Sequence, residues 1–225
     1  MTLSREQSNA LKVIAVLLMI IDHVGAVFFP EEPIWRMVGR LAFPLFAYQL
    51  AIGFQYTSNR KKQFVYLGVF ALISQIPYML ALHITPDDFS FNVFFTFLLS
   101  YGLMMIWERL KLSTGLLVGF LTLLLTLVWI TDVPVDYGWY GVLMPFLFYL
   151  LRDKPLLQIV ILFGLTGWKA YYGSPLQVFA IFASVLPVML SIVSIPPFKL
   201  SKWFFYWFYP VHLGILALLI SMMTT

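Results

Sequence analysis

From Leu11 to its last residues the chain is a succession of apolar runs, each closed by a few polar residues. A helix needs about 20 predominantly apolar residues to cross the hydrocarbon core of a bilayer. In lipid, a spanning segment must also satisfy its own backbone hydrogen bonds, which leaves helices as the natural reading of such runs. Composition agrees: 61% of the 225 residues are hydrophobic and 11% are charged, against roughly a quarter charged in soluble domains. Mean hydropathy is +0.90. We therefore expect an all-α integral membrane protein, a polytopic helical bundle forming a single membrane-embedded domain over residues 1–225, multi-pass in the cell membrane. The first run is long, carries Asp22 and His23 and lacks a small-residue cleavage pattern, so it reads as a span and not as a cleavable signal. There is no cysteine, which excludes disulfides, thiolate chemistry and cysteine-ligated metals, and no metal is expected.

Lys and Arg number 14 against 10 Asp and Glu. Their distribution speaks of topology more than of an anionic partner, and no nucleic-acid partner is expected. Breaks rich in Lys and Arg (Arg5 and Lys12; Arg60, Lys61 and Lys62; Arg109 and Lys111; Arg152 and Lys154; Lys199 and Lys202) alternate with acidic ones (Glu31 and Glu32; Asp87 and Asp88; Asp132 and Asp136). Lys169 alone breaks the alternation. Short cytoplasmic loops collect Lys and Arg, which puts the N-terminus in the cytoplasm. The expected spans are 10–29, 36–57, 63–82, 92–109, 114–130, 138–151, 155–169, 175–194 and 202–222, about nine helices within a range of eight to ten. The sixth and seventh are short enough to be a tilted or re-entrant pair.

Ionisable residues inside the hydrocarbon are costly, and each is a functional hypothesis that needs a partner. His23 lies in the outer half of the first span with Asp22 beside it. A histidine exchanges a proton near neutral pH, and a carboxylate can orient its ring. Sequence neighbours stand about 100° apart around a helix, so Asp22 serves an arginine as readily as His23. Lys12 precedes His23 by eleven positions, which is three turns plus about 20° and about 16 Å along the axis, so the two share one face. A cation at the cytoplasmic surface and a base deep in the bilayer on one stripe suit coenzyme A, with phosphates at one end and a thioester on a long arm. Lys12 as a simple interfacial anchor is the plainer alternative.

The second span brings Arg36 and Arg40, one turn apart, to the predicted depth of His23. Arg40, followed by "LAFPLF", needs a carboxylate such as Asp22 or Asp136, and Pro44 frees a backbone carbonyl. Asn92 and Thr96 open the fourth span, "VDYGWYG" brings Asp136, Tyr137 and Tyr140 to the start of the sixth, and "YPVHLG" puts His212 near mid-membrane in the last. Arg36, Asn92, Asp136, Tyr137 and His212 are candidate acceptor-site residues. For His212 a plain helix-to-helix hydrogen bond is the alternative.

The segments "LKVIAVLLMIIDHVG", "RMVGRLAFPLFAYQLAIGF", "ISQIPY", "FNVFFTFLL", "DYGWYGVL" and "FYWFYPVHLGIL" resemble, in order, the successive motif blocks of the TraX family. The resemblance covers residues 11 to about 218. That family is named for a conjugative-pilus protein held to acetylate the N-terminus of pilin. The order of blocks is also similar to that of the acyltransferase-3 and heparan N-acetyltransferase group. The resemblance implies a membrane-bound acetyltransferase that takes its acetyl group from cytoplasmic acetyl-CoA. It implies Lys12 as the basic residue eleven positions before the catalytic histidine, and His23 as that histidine. Lysine stands where acyltransferase-3 proteins usually carry arginine, so a bidentate grip on phosphate is absent.

The expected reaction has Lys12, with Arg60, Lys61 and Lys62, on the donor phosphates, and His23 as general base or as a transient acetyl carrier. Asp22 or Asp136 orients the histidine, and Arg40 or Asn92 stabilises the oxyanion. The acceptor, at the outer side, is an amine or hydroxyl of a peptide N-terminus, a glycan or a lipid headgroup. Two other classes compete. A proton-coupled transporter or channel also needs buried Asp, His and Arg, although no inverted repeat is visible. A noncatalytic membrane assembly protein predicts no acetyl-CoA binding.

Overall fold

The computed structural model describes residues 3–110, 131 and 133–224, and helices are numbered here over those residues. The order is α1 Arg5–Phe28, α2 Pro33–Gly39, α3 Ala42–Tyr56, α4 Arg60–Ala81, α5 Val93–Leu110, α6 Gly138–Leu150 and α7 Pro155–Tyr172, then a 3-10 helix Pro175–Ser184, α8 Val185–Ser191 and α9 Lys202–Thr224. Among the described residues there is no strand, only an isolated parallel bridge between Phe91 and Val135. Among the described residues, five segments are long and apolar enough to cross a membrane: Arg5–Phe28, Pro33–Tyr56, Arg60–Ala81, Val93–Leu110 and Lys202–Met223. The protein is thus an all-helical, multi-pass membrane protein. The expected span 114–130 lies outside the described residues.

Local chemistry accounts for the helix boundaries that matter to the site. Ser4 caps α1: its Oγ accepts from the Gln7 backbone N–H at 3.2 Å, and Gln7 Oε1 accepts from the Ser4 N–H at 2.8 Å. This reciprocal capping box fixes where the helix starts and therefore where its Lys12 to His23 face points. The expected second span is broken at Arg40 and Leu41 into α2 and α3. Pro44 has no N–H to offer the Arg40 carbonyl four residues back, and the chain tightens there, with the Leu41 N–H donating to Val38 at 3.3 Å.

The expected span 175–194 resolves into a 3-10 helix and the short α8. Ten residues is long for 3-10 geometry. A buried polar chain ties this segment down: Gln177 donates to the Tyr140 hydroxyl at 3.0 Å, and that hydroxyl lies 3.4 Å from Thr166 Oγ1. Helix α6, at 13 residues, and the Pro175–Ser191 segment are shorter than the five long spans.

Two packing arrangements build the site. First, α2 folds back on α1 at very close range. A Cβ added at Gly39 would collide with the Cα, Cβ and Oδ1 of Asp22, and one added at Gly25 would collide with Trp35. Only small residues allow helices to approach so closely in a membrane bundle. Second, α9 runs alongside α4 in the same direction. Trp203 lies 5.1 Å from Tyr66, and Tyr206 stacks on Phe70 at 5.0 Å. Lys202 therefore lies at the end of the bundle where α4 starts, and ten residues of descent bring His212 to the depth of His23.

Candidate active site

A cavity of about 610 Å³ runs along the face of α1 that carries Lys12, Val16, Met19 and His23. The residues 12, 16, 19 and 23 follow one another at three- and four-residue steps, which is one side of an α-helix. At its shallow end the cavity is lined by Arg5, Ser8, Lys12 and Lys202, and at its deep end by Asp22, His23, Gly39, Asp136 and Tyr137. Between them the wall is aromatic and aliphatic: Phe43, Phe46, Leu50, Phe97, Phe205 and Phe208. The sequence places Lys12 and His23 on one stripe, and the structure puts both of them on the wall of one continuous space.

The shallow end holds a different set of cations from the expected one. Arg5 and Lys202 are exposed at the mouth, and Lys12 Nζ sits 5.7 Å from the centre of the Phe205 ring. Arg60, Lys61 and Lys62 do not line the cavity. Arg60 donates to Glu108 at 2.7 Å and lies 4.5 Å from the Phe54 ring, while Glu108 also accepts from the Tyr149 hydroxyl. Lys62 sits 5.8 Å from the Tyr66 ring, and Lys61 is exposed. An ion pair between residues 48 apart in sequence holds Arg60 away from the cavity. Arg5 and Lys202 were legible only as members of basic breaks.

At the deep end, His23 and His212 meet. The His23 Nδ1 to His212 Nε2 distance is 2.8 Å, the ring centres are 5.0 Å apart with the planes inclined by 28°, and both residues are buried. His212 Nδ1 in turn lies 2.8 Å from the Phe208 carbonyl, which can only accept. Tyr209, which sequence reasoning did not single out, packs its ring 6.2 Å from His23 and also lines the cavity. His212 itself stands behind His23 and is not part of the cavity wall.

Asp22 turns away from His23 and serves the arginines. Arg36 Nη1 donates to Asp22 Oδ2 at 2.5 Å and to the Asp22 carbonyl at 3.1 Å. Arg40 Nε stands 3.9 Å from Oδ1, an ion pair without a direct hydrogen bond. Asp136 and Tyr137 lie within the electrostatic reach of Arg40 as well. The two arginines form a layer behind the cavity wall and do not line it.

The remaining candidates divide. Asn92 is consumed by structure: its Nδ2 donates to the Ala71 carbonyl and to Gln75 Oε1, both at 2.8 Å, and its Oδ1 accepts from the Phe94 N–H at 3.0 Å. It is fully buried away from the cavity and locks the start of α5 to α4. Asp136 and Tyr137 do reach the cavity, because the loop carrying them is pinned to the start of α5. The Phe91 N–H donates to the Pro134 carbonyl at 2.8 Å, and the Asp136 N–H donates to the Phe91 carbonyl at 2.7 Å. Thr96 adds a bond to the Asp136 carbonyl at 2.6 Å. Tyr137 has φ of +65° and stacks on Phe43 at 4.1 Å. A left-handed tyrosine is strained, and such strain clusters at functional sites. Burial pushes the Asp136 carboxyl up to about 6, against the opposing pull of Arg40.

Known proteins match nearly the whole length of the chain. The probable fimbrial assembly protein FimC, serogroup H1, of Dichelobacter nodosus is 30% identical over 234 residues, which covers 92% of this chain and 93% of that protein. An uncharacterized protein of Rickettsia prowazekii (strain Madrid E) is 36% identical over 61 residues, 27% of this chain and 24% of that one. No solved structure matches. Residues 7–220, which include the paired His23 and His212, both arginines of the Asp22 cluster and the whole of the Lys12 to His23 stripe, match the TraX protein family, and the chain belongs to that family.

Proposed function

We propose that the protein is a membrane-bound acetyltransferase. Acetyl-CoA enters with its phosphates at Arg5, Lys12 and Lys202, its arm lies along the aromatic wall, and its thioester meets His23. The observation that carries this reading is the continuous cavity with cations at its exposed end and an imidazole at its buried end. Anions attract Lys and Arg, apolar walls exclude water from the thioester, and a histidine near the reacting carbonyl is suited to proton transfer.

In the reaction, the acceptor N–H or O–H proton passes to His23 Nε2 as the acceptor atom bonds to the thioester carbonyl carbon. The C–S bond then breaks, and the coenzyme A thiolate takes that proton back from Nε2. Arg40 lies behind the cavity wall, so its help to the oxyanion is electrostatic and not a direct hydrogen bond. The basic end of the bundle faces the cytoplasm, as short basic loops do. Membership of the TraX family and likeness to a fimbrial assembly protein favour the N-terminal amine of a pilus or fimbrial subunit as acceptor, in the cell membrane.

Transfer of labelled acetyl from acetyl-CoA to subunit N-terminal peptides by the purified protein in lipid nanodiscs tests this reading. The double substitution Lys12→Met and Lys202→Met is expected to raise the KM for acetyl-CoA by about tenfold or more, the scale of one lost charge-assisted contact, with little change in kcat. Substitution of Lys61 and Lys62, which stand off the cavity, leaves KM near the parent value. Absence of transfer to peptide, glycan and lipid acceptors by a folded protein contradicts the reading, and solute flux in proteoliposomes without any acyl donor favours a transporter.

A further inference from the structure

The two buried histidines carry an inference that neither the family nor the relatives supply. The Phe208 carbonyl has no proton, so His212 Nδ1 carries one and donates it there, at 2.8 Å. A neutral imidazole has one protonated and one bare nitrogen, which leaves His212 Nε2 bare. The contact between that atom and His23 Nδ1, at 2.8 Å, then needs its proton on His23 Nδ1. It follows that His23 Nε2 is the nitrogen with the free lone pair, on the residue of the two that lines the cavity. We propose that His212 is a positioning residue for His23: it fixes the ring orientation and the Nδ1–H tautomer that turn the basic nitrogen, Nε2, towards the reacting centre.

This assignment rests on the reading of His23 as the base of acyl transfer, and it replaces the carboxylates expected in that role. Asp22 is engaged by Arg36 and Arg40. The nitrogen that an orienting carboxylate would bind is already occupied by His212. A second imidazole does what the aspartate of a hydrolase triad does for the ring tautomer, with no fixed negative charge in the hydrocarbon. It also offers a place for charge. When His23 Nε2 takes the acceptor proton, the Nδ1 proton can shift across to His212 Nε2. The positive charge then rests on His212, whose Nδ1–H remains on the Phe208 carbonyl, and His23 keeps an Nε2–H ready to protonate the leaving thiolate. No proton is lost or gained in the exchange.

The chain has only three histidines, His23, His83 and His212, so nitrogen-15 NMR of histidine-labelled full-length protein in nanodiscs reads each ring, with His83→Asn and His212→Gln assigning the signals. In the parent protein His23 should be protonated at Nδ1 and bare at Nε2. His212→Gln keeps this tautomer, because the amide oxygen accepts from Nδ1–H, and keeps kcat within about tenfold of the parent. His212→Ala removes the acceptor, mixes the His23 tautomers and lowers kcat about 100-fold, with the KM for acetyl-CoA unchanged. A parent His23 that is bare at Nδ1 overturns the proposal. So does a His212→Ala protein whose His23 tautomer and kcat match the parent. If the tautomer shifts as expected but even the parent transfers no acetyl, the histidine pairing stands and the acyl-transfer reading is what fails.

Discussion

Replacing His23 by alanine is expected to lower acetyl transfer by about 100- to 10,000-fold, the range that a positioned general base contributes, while acetyl-CoA still binds with near-parent affinity. In the proposed binding mode Lys12 grips the donor phosphates some three turns away on the same helix, and nothing in the substitution touches Arg5, Lys12 or Lys202 at the cavity mouth. The effect should therefore fall on kcat. Single-turnover transfer measured beside acetyl-CoA binding separates the two. Equal loss of binding and turnover would mean that His23 holds up the cavity wall and does no chemistry.

Asp22→Asn is expected to have the largest effect on stability. The residue is 7% exposed, and its carboxylate is shared by Arg36 at 2.5 Å and Arg40 at 3.9 Å. Removing one partner of a buried ion pair strands the other charge, which costs on the order of 3–5 kcal/mol. The same carboxylate stands where α1 and α2 are closest, against Gly39, so its loss loosens the hairpin that forms the deep wall. The unfolding midpoint in detergent should drop clearly, and transfer should fall with it. A double variant, Asp22→Asn with Arg36→Met, should recover part of the lost stability because one stranded charge is gone. Full stability in the single variant together with lost transfer would instead place Asp22 on the substrate.

What could be read from the sequence follows a physical division. The Lys12 to His23 stripe was legible because helical periodicity alone fixes which residues share a face and how far apart they lie. Helix geometry left Asp22 free to serve an arginine or His23, since adjacent residues diverge around the helix, and the fold decides for Arg36 and Arg40. The break at Arg40 and Leu41 had its cause in view, Pro44, although the sequence reading carried one helix through it. His212 was noticed as a buried histidine but not as the partner of His23, because 189 residues separate them and no local rule sets that pairing. The cations at the cavity mouth show the same limit. Arg60, Lys61 and Lys62 look like a phosphate cradle in sequence, yet Glu108 claims Arg60, and the packing of α9 against α4 brings Lys202 to the mouth instead. Asn92 had the right chemistry for an oxyanion donor, but its hydrogen bonds are spent on Ala71, Gln75 and Phe94.

Whether the arm of acetyl-CoA occupies the space between Lys12 and His23 can be read directly by cysteine labelling, because the sequence has no cysteine. Met19 lines the cavity midway along the stripe, whereas Leu17, two residues away on another face, is 53% exposed on the outer surface of the bundle. Single variants Met19→Cys and Leu17→Cys would be labelled with a membrane-permeant maleimide, with and without acetyl-CoA. Acetyl-CoA should slow labelling at position 19 several-fold and leave position 17 unchanged. Labelling at position 19 that ignores saturating acetyl-CoA, or equal slowing at both positions, would contradict the account.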